Sequence, residues 1–211
     1  MKQTRKAKKR TVLCTDSIQW LKTHRNLPSI ITSIPDMNEV NLPYHAYISF
    51  LRTAARLCLH ATAEKGYTIF LQTDRKHHGW LDKTYFLIDE AIQAGYTLVW
   101  HKIALRKDPG ATDLFRPTYS HMLCFTKGGS IGKALPDVVH RGSISYDNAF
   151  GIEAVKLAMR YLKQQGIRSV YDVFVGSGTT LAIAEQFGLS SFGIDIDEAQ
   201  CRKARVFRLP A

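Results

Sequence analysis

Val170-Tyr171-Asp172-Val173-Phe174-Val175-Gly176-Ser177-Gly178-Thr179-Thr180 is the stretch that decides the fold. An apolar run ends in a Gly-x-Gly turn, and the turn opens directly into Leu181-Ala182-Ile183-Ala184-Glu185-Gln186-Phe187, which reads as a helix. Phe192-Gly193-Ile194-Asp195-Ile196-Asp197 then forms a second apolar strand with acids at its end. Strand, glycine turn, helix and acid-tipped strand make one half of a nucleotide-binding α/β fold. The glycines let the main chain bend sharply and come close to a ligand. The helix N-terminus offers unpaired N–H groups, and a carboxylate at the second strand end can accept both hydroxyls of a ribose.

Working outward, the pattern keeps alternating strand and helix. A helix is expected over Ser17 to His24 with Asp16 as its cap, then a β-branched strand through Ser29-Ile30-Ile31-Thr32-Ser33-Ile34 ending at Pro35-Asp36. Tyr44 to Ala63 carries apolar residues at three-and-four spacing and reads as a helix. Strands follow at Tyr67 to Leu71, Thr97 to Leu105 and Ser120 to Thr126, with a helix from about Asp82 to Ala94 and polar loop at 72–79. Segments 106–118 and 127–148 read as irregular, Gly151 to Gln165 as an amphipathic helix, and Glu198 to Phe207 as a basic one. The expected class is α/β, a mostly parallel sheet with helices on both faces. Residues 1–11 read as a disordered basic arm, and 12–211 as one domain with a first half at 12–127 and a second at 148–207.

The turn Phe174-Val175-Gly176-Ser177-Gly178-Thr179-Thr180 lacks the third glycine of a dinucleotide fingerprint and the lysine of a phosphate-cradling loop. It suits a nucleoside without a pyrophosphate. Asp172 to Thr180 followed by Gly193-Ile194-Asp195-Ile196-Asp197 resembles the cofactor motif of S-adenosylmethionine-dependent amino-methyltransferases, with Val173 in place of the family's proline. The motif comes late in the chain, as in the permuted (β-group) DNA N4-cytosine and N6-adenine enzymes, so the resemblance implies a Rossmann-like methyltransferase fold in circularly permuted order. It implies S-adenosyl-L-methionine as cofactor, with Asp172, Phe174, Gly176, Ser177, Gly178, Thr179 and Thr180 shaping its site and Asp195 taking the ribose hydroxyls. It spans nearly all of 12–205 and includes no inserted target-recognition domain.

In that family the catalytic strand ends in Ser/Asp/Asn-Pro-Pro-aromatic. The polar residue and a main-chain carbonyl accept hydrogen bonds from the target amine, and the ring stacks on a flipped-out base. Here the corner is Ser33-Ile34-Pro35-Asp36, so Ser33 and Pro35 match while Ile34 and Asp36 do not. Ser33, Pro35 and Asp36 are the expected catalytic residues. Asp36 would accept or hold the amine proton or pair with a donor edge of a base; the plain alternative is a turn aspartate capping the helix near Tyr44. Gln72, Asp74 and Lys76 are expected at the same cleft, with Lys102, Arg106, Arg116 and His121 as phosphate contacts. Adjacent side chains at His77-His78 point apart with no third ligand close in sequence, so no metal is expected.

The chain has 211 residues, formal net charge +11, 45% hydrophobic and 22% charged residues. Lys2, Arg5, Lys6, Lys8, Lys9 and Arg10 sit in the first ten residues with no acid among them. A basic arm on a basic body points to nucleic acid, with RNA favoured over DNA, and tRNA over rRNA, for want of a DNA-reading domain. A DNA amino-methyltransferase is the alternative, and a non-catalytic nucleic-acid-binding or partner subunit is the rival from another class. No apolar run reaches membrane-span length, so no membrane partner is expected, whereas a homodimer or partner subunit is compatible with the pattern. Cys14, Cys58, Cys124 and Cys201 are scattered without metal or disulfide spacing, which suits an intracellular, reducing compartment such as the cytoplasm.

Overall fold

Hydrophobic periodicity sets the elements, and local capping chemistry sets where they stop. The computed structural model describes residues 9–76, 79–145 and 149–209; residues 1–8 of the basic arm and the His77-His78 pair lie outside them. β1 (Arg10–Cys14) leads into α1 (Ser17–Thr23), and the Asp16 carboxylate caps that helix by accepting the Ile18 and Gln19 N–H groups at 2.7 and 3.3 Å. β2 (Leu27–Thr32) stops short of Ser33, and Asp36 caps the single turn α2 (Met37–Val40) rather than the helix at Tyr44. α3 (Tyr44–Ala61) buries Tyr47, Leu51, Ala55, Cys58 and Leu59 along one face. It runs straight into β3 (Thr62–Gln72), which therefore starts earlier than the expected Tyr67.

β4 (Arg75–Lys76), inside the expected polar loop, pairs antiparallel with β5 (Trp80–Leu81), just past it and ahead of α4 (Lys83–Gln93). β6 (Thr97–Leu105) and β7 (Tyr119–Thr126) flank the irregular segment between them. β8 (Val138–His140) lies within the expected 127–148 loop. α5 (Ile152–Gln164), β9 (Ser169–Asp172), α6 (Thr179–Phe187), β10 (Ser190–Asp195) and α7 (Glu198–Val206) complete the chain.

Eight strands form one sheet in the order β1-β10-β9-β2-β3-β7-β6-β8, and only β7 runs against the rest. Alternation along the strands feeds two apolar layers. Phe70, Leu123 and Phe125 pack with Leu21, Leu51, Leu59 and Leu87 of α1, α3 and α4. Ile31, Ile69 and Met122 pack on the other side with Val155, Leu162 and Ile183 of α5 and α6. Each such side chain contributes roughly 1.5–3 kcal/mol of burial, so the sheet is held from both faces. The helices after β9 and β2 lie on opposite faces, which opens a crevice at the carboxyl ends of these neighbours.

The first strand pairs with the last, Arg10 to Cys14 lying beside Ser191 to Asp195. Arg10 fastens this seam: its guanidinium donates to both Glu185 oxygens at 2.8 Å and to the Ala204 and Phe207 carbonyls at 2.8 and 2.7 Å. Arg10 and Thr11 therefore belong to the sheet and not to a disordered arm, because this one side chain satisfies a carboxylate and the open end of α7 together. No helix among the described residues is long and apolar enough to cross a membrane.

Candidate active site

The glycine turn sits at the carboxyl end of β9. Gly176 and Gly178 have φ of 52° and 94°, a region that favours glycine. A Cβ on Gly178 would lie 2.8 Å from the Ala204 Cα, so the turn also needs glycine to pack on α7. The Gly176 N–H donates to Asp195 Oδ2 at 2.9 Å, and the Asp197 N–H donates to Oδ1 at 2.9 Å. A carboxylate has about four lone-pair positions, so Asp195 retains acceptor capacity for a diol. Ser177 Oγ donates to Gln200 Oε1 at 2.7 Å, and the Thr179 hydroxyl bonds that of Ser145. No side chain caps α6, whose N-terminus follows Gly178.

Asp172 lies beneath the turn, buried at the end of β9. Thr32 Oγ1 donates to its Oδ1 at 2.7 Å, and the Phe174 N–H reaches the same atom at 3.3 Å. Burial pushes this carboxyl up to about 6, against the hydrogen bonds from Thr180, Thr32 and Phe174, and the Asp195 charge adds to the rise. Phe174 is half-buried and meets Phe50 edge-on at 6.2 Å. All eight expected cofactor residues thus cluster on the β9 and β10 ends, with Phe174 turned toward the α3 side.

The neighbouring corner, at the end of β2, is built differently from its sequence expectation. Ser33 is exposed. The Ile34 carbonyl already accepts from Gln72 Nε2 at 3.0 Å, and the Pro35 carbonyl from Tyr47 Oη at 3.2 Å. Asp36 accepts its own helix-cap bond from the Met37 N–H at 2.8 Å and is met by Arg75 at 3.0, Lys83 at 3.1 and Arg116 at 3.4 Å. Burial alone would raise its carboxyl, but the Lys83 ammonium, the Met37 N–H and Arg75 more than offset that and hold it below the usual aspartate range. Burial lowers Lys83, with Arg116 adding to the fall and Asp36 opposing it.

A cavity of about 310 Å³ opens beside this corner. Ser33, Ile34, Asp36, Gln72, Arg116 and the loop Ala149-Phe150-Gly151 line it, together with Arg106, Arg141 and Lys83. Of the expected substrate residues, Gln72, Arg106 and Arg116 reach the wall. The other four do not. Asp74 is buried and takes hydrogen bonds from Trp80 Nε1 at 3.2 Å, the Lys83 N–H at 3.0 Å and His121 Nε2 at 3.2 Å. His121 passes the network on to His101 at 2.8 Å. Lys76 donates to the Asp113 carbonyl at 3.3 Å, and Lys102 ties the Leu135 carbonyl and Asp137 to β6, both at 2.8 Å. Their polarity satisfies hairpin and loop groups that fold back on the sheet.

Lys83 and Arg141 were not visible as site residues. Lys83 reads as the first turn of a helix, and Arg141 follows a strand too short to leave a periodic signal. Among the described residues no cluster of three or more His, Cys, Asp or Glu could hold a metal ion.

No protein-family model matches the sequence, and no curated protein does. Solved structures do match. The PvuII DNA methyltransferase, cytosine-N4-specific, superposes with a TM-score of 0.75 at 13% identity, covering 96% of this chain and 88% of its own. TTHA0409 of Thermus thermophilus, a candidate DNA modification methylase, gives 0.71 at 18% identity, covering 94% and 93%. The chain shares the Rossmann-like fold of these methyltransferases. TTHA0409 has also been solved with S-adenosyl-L-methionine, as has M1.HpyAVI, which matches at 0.64 with 12% identity over 93% and 98% of the two chains.

Proposed function

We propose that this protein is an S-adenosyl-L-methionine-dependent methyltransferase acting on an amine of a nucleic-acid base. The observation that carries the reading is the juxtaposition of the Gly176–Gly178 turn, anchored to Asp195, with the exposed Ser33 hydroxyl at the adjoining strand end. Asp195 would hold the ribose, the turn would pass close to the cofactor, and the Asp195 charge that adds to the rise of buried Asp172 would favour a ligand bearing positive charge. S-adenosyl-L-methionine carries a sulfonium and an ammonium, and bound there it supplies an electrophilic methyl group. Held by Asp195 and the Gly176–Gly178 turn, it would supply that methyl group to the acceptor nitrogen, which would lose one proton in exchange. Ser33 would accept a hydrogen bond from the amine and align it.

Asp36 is best read as an electrostatic anchor of the corner, since three cations already claim it. The aromatic face that the corner lacks would come from Phe150, the one aromatic ring on the cavity wall among the described residues. DNA is the better supported substrate. The basic composition fits DNA and RNA alike, and the lack of a separate reading domain no longer favours RNA, because the chain covers 88% of a DNA methyltransferase.

The test is methyl-tritiated cofactor with genomic DNA, total tRNA and rRNA as separate acceptors, followed by nucleoside mass spectrometry. Label should enter DNA at an exocyclic amine and disappear in Ser33→Ala, while that variant still binds cofactor. Label in tRNA alone would overturn the DNA assignment, and no label in any acceptor would favour a non-catalytic binding subunit.

A further inference from the structure

The acceptor end of the cleft carries more positive charge than its acids balance. Lys83, Arg106, Arg116 and Arg141 line it with Asp36 and Glu39. Asp36 is shared by Arg75, Lys83 and Arg116, and Glu39 Oε2 accepts the Asp36 N–H at 2.6 Å. Asp113, whose charge also reaches Arg106, is engaged by Lys107 at 3.2 Å and by the Phe115 and Arg116 N–H groups. Among the described residues no carboxylate pairs with Arg106 or Arg141, and the Arg106 guanidinium donates only to the Pro117 carbonyl, at 2.9 Å. Burial pushes Arg106 below the usual arginine range, and the charges of Arg141 and Arg116 push it the same way. Converging like charges cost free energy until an anion joins them.

We propose that Arg106, Arg116 and Arg141 form a phosphate-binding subsite that seats the phosphate of the nucleotide whose base enters the cleft. The three come from one edge of the sheet. Arg106 follows β6, and Arg141 follows the parallel neighbour β8, with the Arg141 N–H donating to the Leu105 carbonyl at 2.9 Å so that the two strand ends are fixed side by side. Arg116 projects from the loop joining β6 to β7 and is held toward the cavity by Asp36. Guanidinium forks match phosphate oxygens in pairs, and the wall between them carries the bonded Thr73 and Ser120 hydroxyls, 2.5 Å apart. The proposal rests on the cleft being the acceptor site of a nucleic-acid methyltransferase. It adds that charge carries part of the binding that a stacking ring at position 36 would otherwise supply.

The test is calorimetry on the full chain and on Arg106→Gln and Arg141→Gln, neither of which anchors Asp36. The probes are dCMP and dAMP, the matching deoxynucleosides, inorganic phosphate, acetate as a carboxylate, and a short single-stranded oligonucleotide over a salt series. The monophosphates should bind at least tenfold more tightly than the nucleosides, with phosphate competing and acetate failing to. Each Gln variant should lose tenfold or more for the monophosphates, and its oligonucleotide salt slope should fall by about 0.7 for the one lost contact. Arg141→Lys should keep the wild-type salt slope, because the charge remains, but lose part of the monophosphate affinity with the fork, and S-adenosyl-L-methionine binding should stay within about twofold in all variants. Equal binding of nucleosides and monophosphates, competition by acetate, or wild-type affinity in both Gln variants would overturn the subsite. Phosphate binding that persists in a protein with no methyl transfer would instead overturn the methyltransferase reading and leave the subsite standing.

Discussion

Asp172→Asn should stabilise the protein and weaken its hold on cofactor at the same time. The wild-type carboxyl sits at about 6 in the fold against an ordinary value of 3.8. A raised carboxyl binds its proton more tightly in the native state, so stability falls as pH rises from about 3.8 to about 6 and the full cost applies above that. The gap corresponds to about 3 kcal/mol at 1.36 kcal/mol per pH unit. Asparagine removes that cost. Its Oδ1 can keep the Thr32 and Phe174 donors, while its amide must turn the Thr180 hydroxyl around, which returns about 1 kcal/mol. The net gain above pH 7 is about 2 kcal/mol, or about 4–8 °C in melting temperature for a chain of this size. Urea denaturation at pH 4, 5, 6 and 7.5 should show the variant slightly the less stable at the acid end, by up to about 1 kcal/mol, with the two curves crossing as pH rises and the variant ahead at pH 7.5. Calorimetry should show S-adenosyl-L-methionine binding at least tenfold more weakly to the variant. A stability difference that does not change with pH, or a variant less stable than wild type at pH 7.5, would refute the reasoning.

Asp36→Asn should behave in the opposite sense. Removing the carboxylate leaves Arg75, Lys83 and Arg116 without their shared partner, at a cost of about 3–5 kcal/mol at neutral pH by urea denaturation. Because the folded carboxyl is depressed, that stability is present above the ordinary aspartate value and lost as pH falls through the folded one, so the two proteins should converge in acid. Phe150→Ala should weaken acceptor binding by roughly tenfold or more, as expected for one base stack at about 1–3 kcal/mol. Phe150→Leu should match it in KM while restoring the melting temperature, because leucine refills the apolar contact that Phe150 makes against the α5 side of the sheet.

The legible parts of the fold are those whose signal is contiguous. The glycine turn, the α3 and α5 faces and the β6 and β7 strands all announce themselves within a dozen or so residues. β1 does not, because it is a five-residue edge strand with no fully buried position and thus no alternation to read. β8 has three residues and sits in glycine-rich sequence, and β4 and β5 have two each. The start of β3 is hidden for another reason. Glu64 and Lys65 are exposed and Gly66 resembles a turn, yet Gly66 is a strand residue pressed within 2.8 Å, at its would-be Cβ, of the Pro28 carbonyl. The site divides the same way. The cluster around the glycine turn is local in sequence, whereas the partners of Asp36 arrive from positions 75, 83 and 116, on three different segments.

That distribution bears on what the altered corner can do. A carboxylate surrounded by Arg75, Lys83 and Arg116 and held below the usual aspartate range has little affinity for a proton, and a group of low proton affinity is a weak general base near neutral pH. Methyl transfer to an amine does not need a strong one, since the nitrogen becomes acidic once it carries the new methyl group and can release its proton to water. What the step does need is alignment. Asp36 serves alignment directly: it caps α2, positions Lys83 and Arg116 on the cavity wall, and fixes the backbone that presents Ser33. Gln72 completes the corner by holding the Ile34 carbonyl, so the amine would find Ser33 as its free acceptor there. An aromatic residue in place of Asp36 would supply a stacking face but leave Arg75, Lys83 and Arg116 without their shared partner, two of them on the cavity wall. A corner built on Asp36 therefore excludes a stacking ring at that position, and on the proposed function the acceptor would be held by the charged wall together with Phe150.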